Sequence, residues 1–300
     1  MTESKYLTAI CAFTYFGPAR VRLLYSYFET AKRIWESSPG SLIDIGLPEK
    51  KVGDFVSFRK SFDIESYFEK LSKLNIKVTT FLDKDFPDAL RDLNNAPVIL
   101  YYKGSLKGLK TDSVAIVGAR KMTSYGREVT EKFSRELTGF GITVISGLAR
   151  GVDTTAHKAC LSAAGLTVAV LGNGLDSVYP PENKDLAEEI VRNGGAVISE
   201  YPPGYPALPS NFALRNRIIS GLSGCVLVIE GAEKSGTLLT ASHAAQQGKT
   251  VLAVPGQINS PLSGAPLYLL RNGAKLATEA RDVLEELDIN FSVGREKQKR

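Results

Sequence analysis

A chain of 300 residues with 43% hydrophobic content can bury a full core, and its length points to two domains rather than one. Three cysteines without a CxxC spacing (Cys11, Cys160, Cys225) argue against a disulfide framework or a zinc site and fit a reducing cytoplasm, and two distant histidines, His157 and His243, do not suggest a metal centre. The formal charge is +5, of which +3 sits in residues 295–300, so a polyanion-binding surface has to come from local clustering.

In chain order, residues 7–16 are apolar enough to resemble a short signal core. Glu3 precedes them and their polar breaks suit a helix, so export is not expected and a cytoplasmic location is. No run approaches the roughly 18 apolar residues of a membrane span. Residues 1–76 read as a small all-α domain. Val21, Leu24 and Phe28 mark one helical face, Ile34 and Trp35 another, and Ile64, Phe68, Leu71 and Leu74 a third. Gly17-Pro18 and Ser38-Pro39-Gly40 punctuate these helices. Residues 77–111 form a connecting segment with an extended stretch at 98–102.

From residue 112 to about 290 the pattern changes to strand–helix alternation. Strands are expected at 114–117, 143–145, 167–171, 196–199, 225–229 and 250–254, with helices marked by Val129, Phe133 and Leu137, by Leu186, Ile190 and Val191, and by Leu238, Leu239 and Ala245. Alternating β and α units imply an α/β fold with a doubly wound, mainly parallel sheet. The sequence carries no strand order. Residues 291–300 read as a basic, disordered tail.

The loops at the carboxyl ends of these strands gather at one sheet edge, where helix N-termini suit an anion. After the first strand comes Gly118-Ala119-Arg120-Lys121-Met122-Thr123-Ser124. Ser124 reads as a helix N-cap and Arg120 as a fork for a phosphate, or as a cap beside an ordinary surface arginine. GxGxxG is absent, and the second strand ends in Ser146 rather than an acid, so this is not a dinucleotide fingerprint. The second loop, Ser146-Gly147-Leu148-Ala149-Arg150-Gly151-Val152-Asp153, leads to His157. Asp153 and His157, four residues apart, form either an acid–base or metal pair or, the reading favoured here, a capping aspartate and a packed or hydrogen-bonded histidine. The loop Gly172-Asn173-Gly174 is uninformative alone. Residues 212–256 are the most informative stretch. Arg215-Asn216-Arg217 opens an apolar helix, and Ser235-Gly236-Thr237 opens the helix after the next strand. Gly231 to Thr237 resembles a P-loop without its lysine, and Gly221 to Gly224 resembles a nucleophile elbow without a base, so neither hydrolysis nor acyl transfer is supported.

In order along the chain, VAIVGAR with SYG, SGLARGVDTTAH, AVLGNGLDSVYPPEN, ISEYPPG, NFALRNRIISGLS, SGTLLTA and AVPGQINSPLSGAP resemble the DNA-processing protein A family, also called DprA or Smf. The resemblance implies an extended Rossmann-like domain preceded by a sterile-alpha-motif-like (SAM-like) helical domain. It leaves no room by residue 300 for the winged-helix domain that some members carry. It further implies a non-enzymatic protein without cofactor or metal. Such a protein binds single-stranded DNA, protects it during natural transformation, loads the RecA recombinase and dimerises through the Rossmann-like domain. Carried over by motif, Arg120 holds a phosphate in a pocket shaped by Gly118 and Ser124. Phe212, which alone reads rather as core and beside Asn211 and the Arg-Asn-Arg triplet equally as a stacking face, stacks on a base. Arg215, Asn216 and Arg217 line the same groove, and Ser235, Gly236 and Thr237 offer hydroxyl and amide donors. Gly147 and Arg150 complete the set. Two departures are evident. Ala213 stands where members often have proline, and Pro209 stands where some have a phosphate-binding lysine, whose place Lys184 or another base takes.

The rival class is an enzyme resembling the lysine-decarboxylase-like phosphoribohydrolases, which carry PGGxGTxxE. Aligned on Gly236-Thr237, this chain puts Thr240 where the catalytic glutamate belongs. A second alternative makes Phe16-Gly17-Pro18-Ala19-Arg20 a duplex-binding hairpin, of which only one glycine remains.

Overall fold

The computed structural model describes residues 1–289. The basic tail expected at 291–300, and the last residue of the domain expected to end at 290, lie outside the described residues. The chain divides into two compact units. One comprises residues 1–103 with 172–177 and 198–208, the other residues 104–171, 178–197 and the chain from Pro209 onward.

In the first unit, six helices open the chain: α1 (Glu3–Ala12), α2 (Pro18–Phe28), α3 (Ala31–Glu36), α4 (Pro39–Asp44), α5 (Glu49–Ser61) and α6 (Ile64–Lys73). Pro18 and Pro39 each sit in the first turn of a helix, where a missing N–H breaks no bond. Leu7, Ile10, Phe13, Leu24, Ile34 and Phe55 meet in one core. The connecting segment supplies β1 (Lys77–Thr80), the one-turn α7 (Asp88–Arg91) and β2 (Ile99–Gly104). The two strands are antiparallel, with Lys77 opposite Tyr102 and Thr80 opposite Ile99.

The second unit alternates β3 (Ser113–Val117), α8 (Ser124–Gly139), β4 (Thr143–Ser146), α9 (Val152–Ser162), β5 (Thr167–Leu171), α10 (Lys184–Arg192), β6 (Ala196–Ser199), α11 (Pro209–Leu222), β7 (Cys225–Val228), α12 (Gly236–Gln246), β8 (Thr250–Ala253), α13 (Gly264–Arg271), β9 (Lys275–Leu276) and α14 (Ala280–Glu285). The strand order is β5-β4-β3-β7-β8-β9, and β6, whose first two residues belong to this unit, stands beyond β5. The pairs β3–β4, β4–β5, β3–β7, β7–β8 and β8–β9 are all parallel. This is the doubly wound, Rossmann-like α/β fold expected from the alternation.

Val114, Ile116, Cys225, Leu227 and Leu252 face Phe133, Leu137, Ala156 and Val283 in one core cluster, so α8, α9 and α14 cover that side. From β3 the chain winds outward through β4 and β5, then returns to β7 on β3's other flank. The loops after β3 and β7 therefore leave in opposite directions, and a crevice opens between them.

Candidate nucleic-acid interface

The crevice is a cavity of about 510 Å³ at the carboxyl ends of β3 and β7. Arg120 and Lys121 come to it from the β3 loop, Phe212, Arg215 and Asn216 from α11, and Ser235, Gly236 and Thr237 from the start of α12. Gly118 and Pro209 also line it. Among its lining residues the only carboxylate is Asp153, and its Oδ2 accepts from the N–H groups of Gly147 (3.1 Å) and Ala149 (3.3 Å). Burial pushes the Asp153 carboxyl above its ordinary range, against the pull of Arg215 and of those amides.

The two ends of the crevice differ in how their helix is capped. α8 starts at Ser124, but its cap is Thr123, whose Oγ1 accepts from the Gly126 N–H at 3.0 Å. The expectation that Ser124 caps is thereby corrected. Thr123 is the last residue with extended backbone, and Ser124 is already helical and exposed, outside the cavity lining. The same end also receives the buried Glu230 from beyond β7. Its Oε2 accepts from the Thr123 N–H (2.9 Å) and its Oε1 from the Thr123 hydroxyl (2.6 Å). A Cβ on Gly126 would lie 2.2 Å from that carboxylate, so any larger residue there would displace it. The positive end of α8 thus holds a carboxylate of the chain itself.

α12 is left open. Ser235 occupies its cap position with extended backbone, but its side chain makes no cap bond, and its Oγ is buried without a hydrogen-bond partner. Asn216 reaches this turn, its Nδ2 donating to the Gly236 carbonyl at 3.4 Å. An eleven-residue helix beginning without a side-chain cap presents N–H donors and a positive dipole end to the crevice.

An aromatic surface adjoins these donors. Phe212 is half-buried, its ring centroid 5.3 Å from that of Tyr179 at an interplanar angle of 32°. The Arg120 guanidinium lies 5.9 Å from the Phe212 centroid on an exposed side chain. Tyr179, 43% exposed, was not among the candidates. Its only signal was an aromatic in the Tyr-Pro-Pro loop after β5.

The three residues of the Arg-Asn-Arg triplet part company. Arg215 is buried, its Nη1 donating to the Gly147 carbonyl at 2.7 Å and to the Val170 carbonyl, so it ties α11 to the ends of β4 and β5. Gly147 makes room for it, since a Cβ there would stand 2.6 Å from Nη2. Arg217 does not line the crevice. It lies near His243 of α12, whose pKa is lowered first by burial and then by the Arg217 charge. Arg150 borders a small recess with Tyr179, Phe212 and Arg120, and pairs with Glu182. Lys184, exposed on the first turn of α10, lines none of these spaces. His157 does not bond Asp153. Its Nδ1 meets Thr167 Oγ1 at 2.7 Å.

Residues 77–288 match the family model for DNA recombination-mediator protein A. The chain belongs to this family. It is 42% identical over 247 residues to protein Smf of Escherichia coli, a match spanning 82% of this chain and 66% of that protein's length. It is also 42% identical over 231 residues to DNA processing protein DprA of Streptococcus pneumoniae, covering 75% of this chain and 81% of that one. The X-ray structure of the Streptococcus pneumoniae DprA superimposes with a TM-score of 0.82 at 35% identity, covering 97% of this chain and all of that one. DprA from Helicobacter pylori, whose structure is described for its unique single-stranded DNA binding mode, matches at a TM-score of 0.65 and 29% identity over 72% of this chain and 99% of that one. No helix among the described residues is long and apolar enough to cross a membrane.

Proposed function

We propose that this chain binds single-stranded DNA in the crevice between β3 and β7 and acts as a recombination mediator. The observation that carries the reading is the joining of exposed cations, an open helix N-terminus and a paired aromatic surface in one cavity. Sequence-independent strand binding needs a positive track for phosphates and aromatic faces on which any base can stack. Arg120 and Lys121 serve a backbone phosphate, with Lys121 the base that replaces the lysine absent at Pro209. The Ser235 hydroxyl and the first amides of α12 serve a second phosphate. Phe212, supported by Tyr179, takes a base. Gly118, Gly147 and Arg215 hold this edge in shape, and Arg150 flanks it.

Binding, not turnover, is the role that suits the site. The one carboxylate lining it is engaged by two amides, and Thr240 stands where a phosphoribohydrolase would place its glutamate. The wider role in this reading is to protect incoming strands in the cytoplasm and to load RecA on them. In it the protein works as a homodimer formed through the second unit, where α12, α13 and β9 expose Leu239, Tyr268 and Leu276. The test is a mobility-shift titration of single-stranded against blunt duplex DNA across a salt series. Preference for the single strand, weakening steeply with salt, is expected. Equal or tighter duplex binding at the same salt rejects the reading.

A further inference from the structure

Beside the crevice, a second depression of about 300 Å³ opens over the first turns of α8 and α9. Arg120, Lys121, Arg127 and Lys158 line it, with no carboxylate. All four are exposed, and among the described residues none forms an ion pair. Elsewhere in this unit some exposed cations are matched. On α8 itself Arg135 pairs with Glu131, and Arg281 pairs with Glu285 on α14. Four like charges facing one hollow repel each other unless an anion joins them. The polar side chains between them are already used: Thr154 Oγ1 donates to the Ala149 carbonyl at 2.6 Å, and Thr155 Oγ1 to Met122 Sδ at 3.8 Å. The cations are therefore the groups available to a ligand. Arg120 and Lys121 also line the crevice, so the two hollows are continuous through them.

We infer that this depression is a second phosphate site, in which Arg127 and Lys158 receive phosphates of the strand as it leaves the crevice past Arg120 and Lys121. The inference rests on the crevice reading, which covers only the bases and phosphates between β3 and β7. It extends the path of the strand onto α8 and α9. Pyrophosphate and other free polyphosphates share the chemistry, and the experiment separates them from the strand.

Binding is measured for wild type and for Arg127→Ala/Lys158→Ala on an oligonucleotide of roughly 5 residues, which fills the crevice, and on one of roughly 20. On the long strand the double variant is expected to bind about tenfold more weakly, with a salt slope smaller by about 1.4, the share of two phosphate contacts. On the short strand it should match wild type. An unchanged long-strand affinity and slope overturn the inference, and so does an equal loss on both lengths, which would place both residues at the crevice. If wild type shows no preference for single strands, it is the crevice reading that fails. Tripolyphosphate then decides the depression: a rise in melting temperature seen in wild type and abolished in the double variant keeps it as a site for free phosphate, and no rise in wild type overturns it. Both side chains are exposed, so the variants are expected to fold.

Discussion

Arg120 and Phe212 lie within 5.9 Å of each other, yet their substitution has different signatures. Arg120→Ala removes a charge proposed to neutralise a phosphate, so the salt slope of strand binding should fall by about 0.7. Phe212→Ala removes a face for stacking, which releases no counterions. It should cost about 1–3 kcal/mol of binding at an unchanged slope. Thermal melts establish that both variants are folded, and a Phe212→Ala protein that binds normally ends the stacking role. The buried His157 makes a different kind of prediction. Thr167 Oγ1 gives its only proton to the Val144 carbonyl at 2.7 Å, so the histidine must be the donor from Nδ1, and its buried Nε2 has no partner. Burial first, and the Arg215 charge second, lower its pKa to about 3. In the unfolded chain it titrates near about 6.5, so the unfolded state binds the additional proton. Stability is therefore held above pH 6.5 and lost progressively as pH falls from there toward 3, by up to about 5 kcal/mol. His157→Asn keeps a donor for Thr167 without a titrating ring. It should be less stable at pH 8 but show a flatter stability–pH curve, measured by denaturant melts.

The elements explain which parts of the site were legible in sequence. The central strands of the second unit are buried on both faces and bounded by loops, so their apolar runs mark them to within a residue or two. β9 has two residues, both exposed, and leaves no such run. The Arg-Asn-Arg triplet misleads because positions i and i+2 of a helix point to nearly opposite sides. Arg215 and Asn216 turn to the sheet edge and Arg217 turns away, a division that neighbours in sequence cannot reveal without the strand positions. The cap of α8 was placed one residue late because Thr and Ser are both good caps. What selects Thr123 is Glu230, 107 residues away. This contact makes Gly126→Ala a sharp test of the element. The added methyl would press on the carboxylate, and overpacking of this kind costs about 1–3 kcal/mol. Urea melts should register that loss, whereas Gly139→Ala, with open space around its Cβ position, should not be destabilised.

At the scale of the whole molecule, the alternation of strands and helices announces the fold class, and the loops at one sheet edge mark where a ligand is proposed to meet it. The strand order cannot be read this way, because it depends on which strands pair across long connections. Nor can the division into units, since residues 172–177 and 198–208 are separated in sequence from the unit they join. The proposed dimer belongs to this scale. β9 ends the strand order, and beside it Leu276, Tyr268 and Leu239 are 54%, 50% and 46% exposed. An apolar sheet edge of this kind is costly unless another chain covers it. Leu276→Asp should convert a dimer to a monomer in sedimentation equilibrium while leaving the fold intact, and a wild-type protein that sediments as a monomer at every concentration removes the proposal.

The carboxylate at the head of α8 sets what this edge refuses. In many sheets of this winding the turn after the first strand welcomes the phosphates of a free nucleotide. Here Glu230 is already seated on Thr123, so a small phosphate at that turn finds the side chains of Arg120 and Lys121 and not the amide at the head of α8. A cell is crowded with such molecules, and a protein proposed to bind strands among them gains from a weaker hold on single nucleotides. In the proposed reading, open amides at α12 and cationic side chains alone at α8 favour a ligand long enough to reach both. In that reading, length itself becomes the quantity recognised.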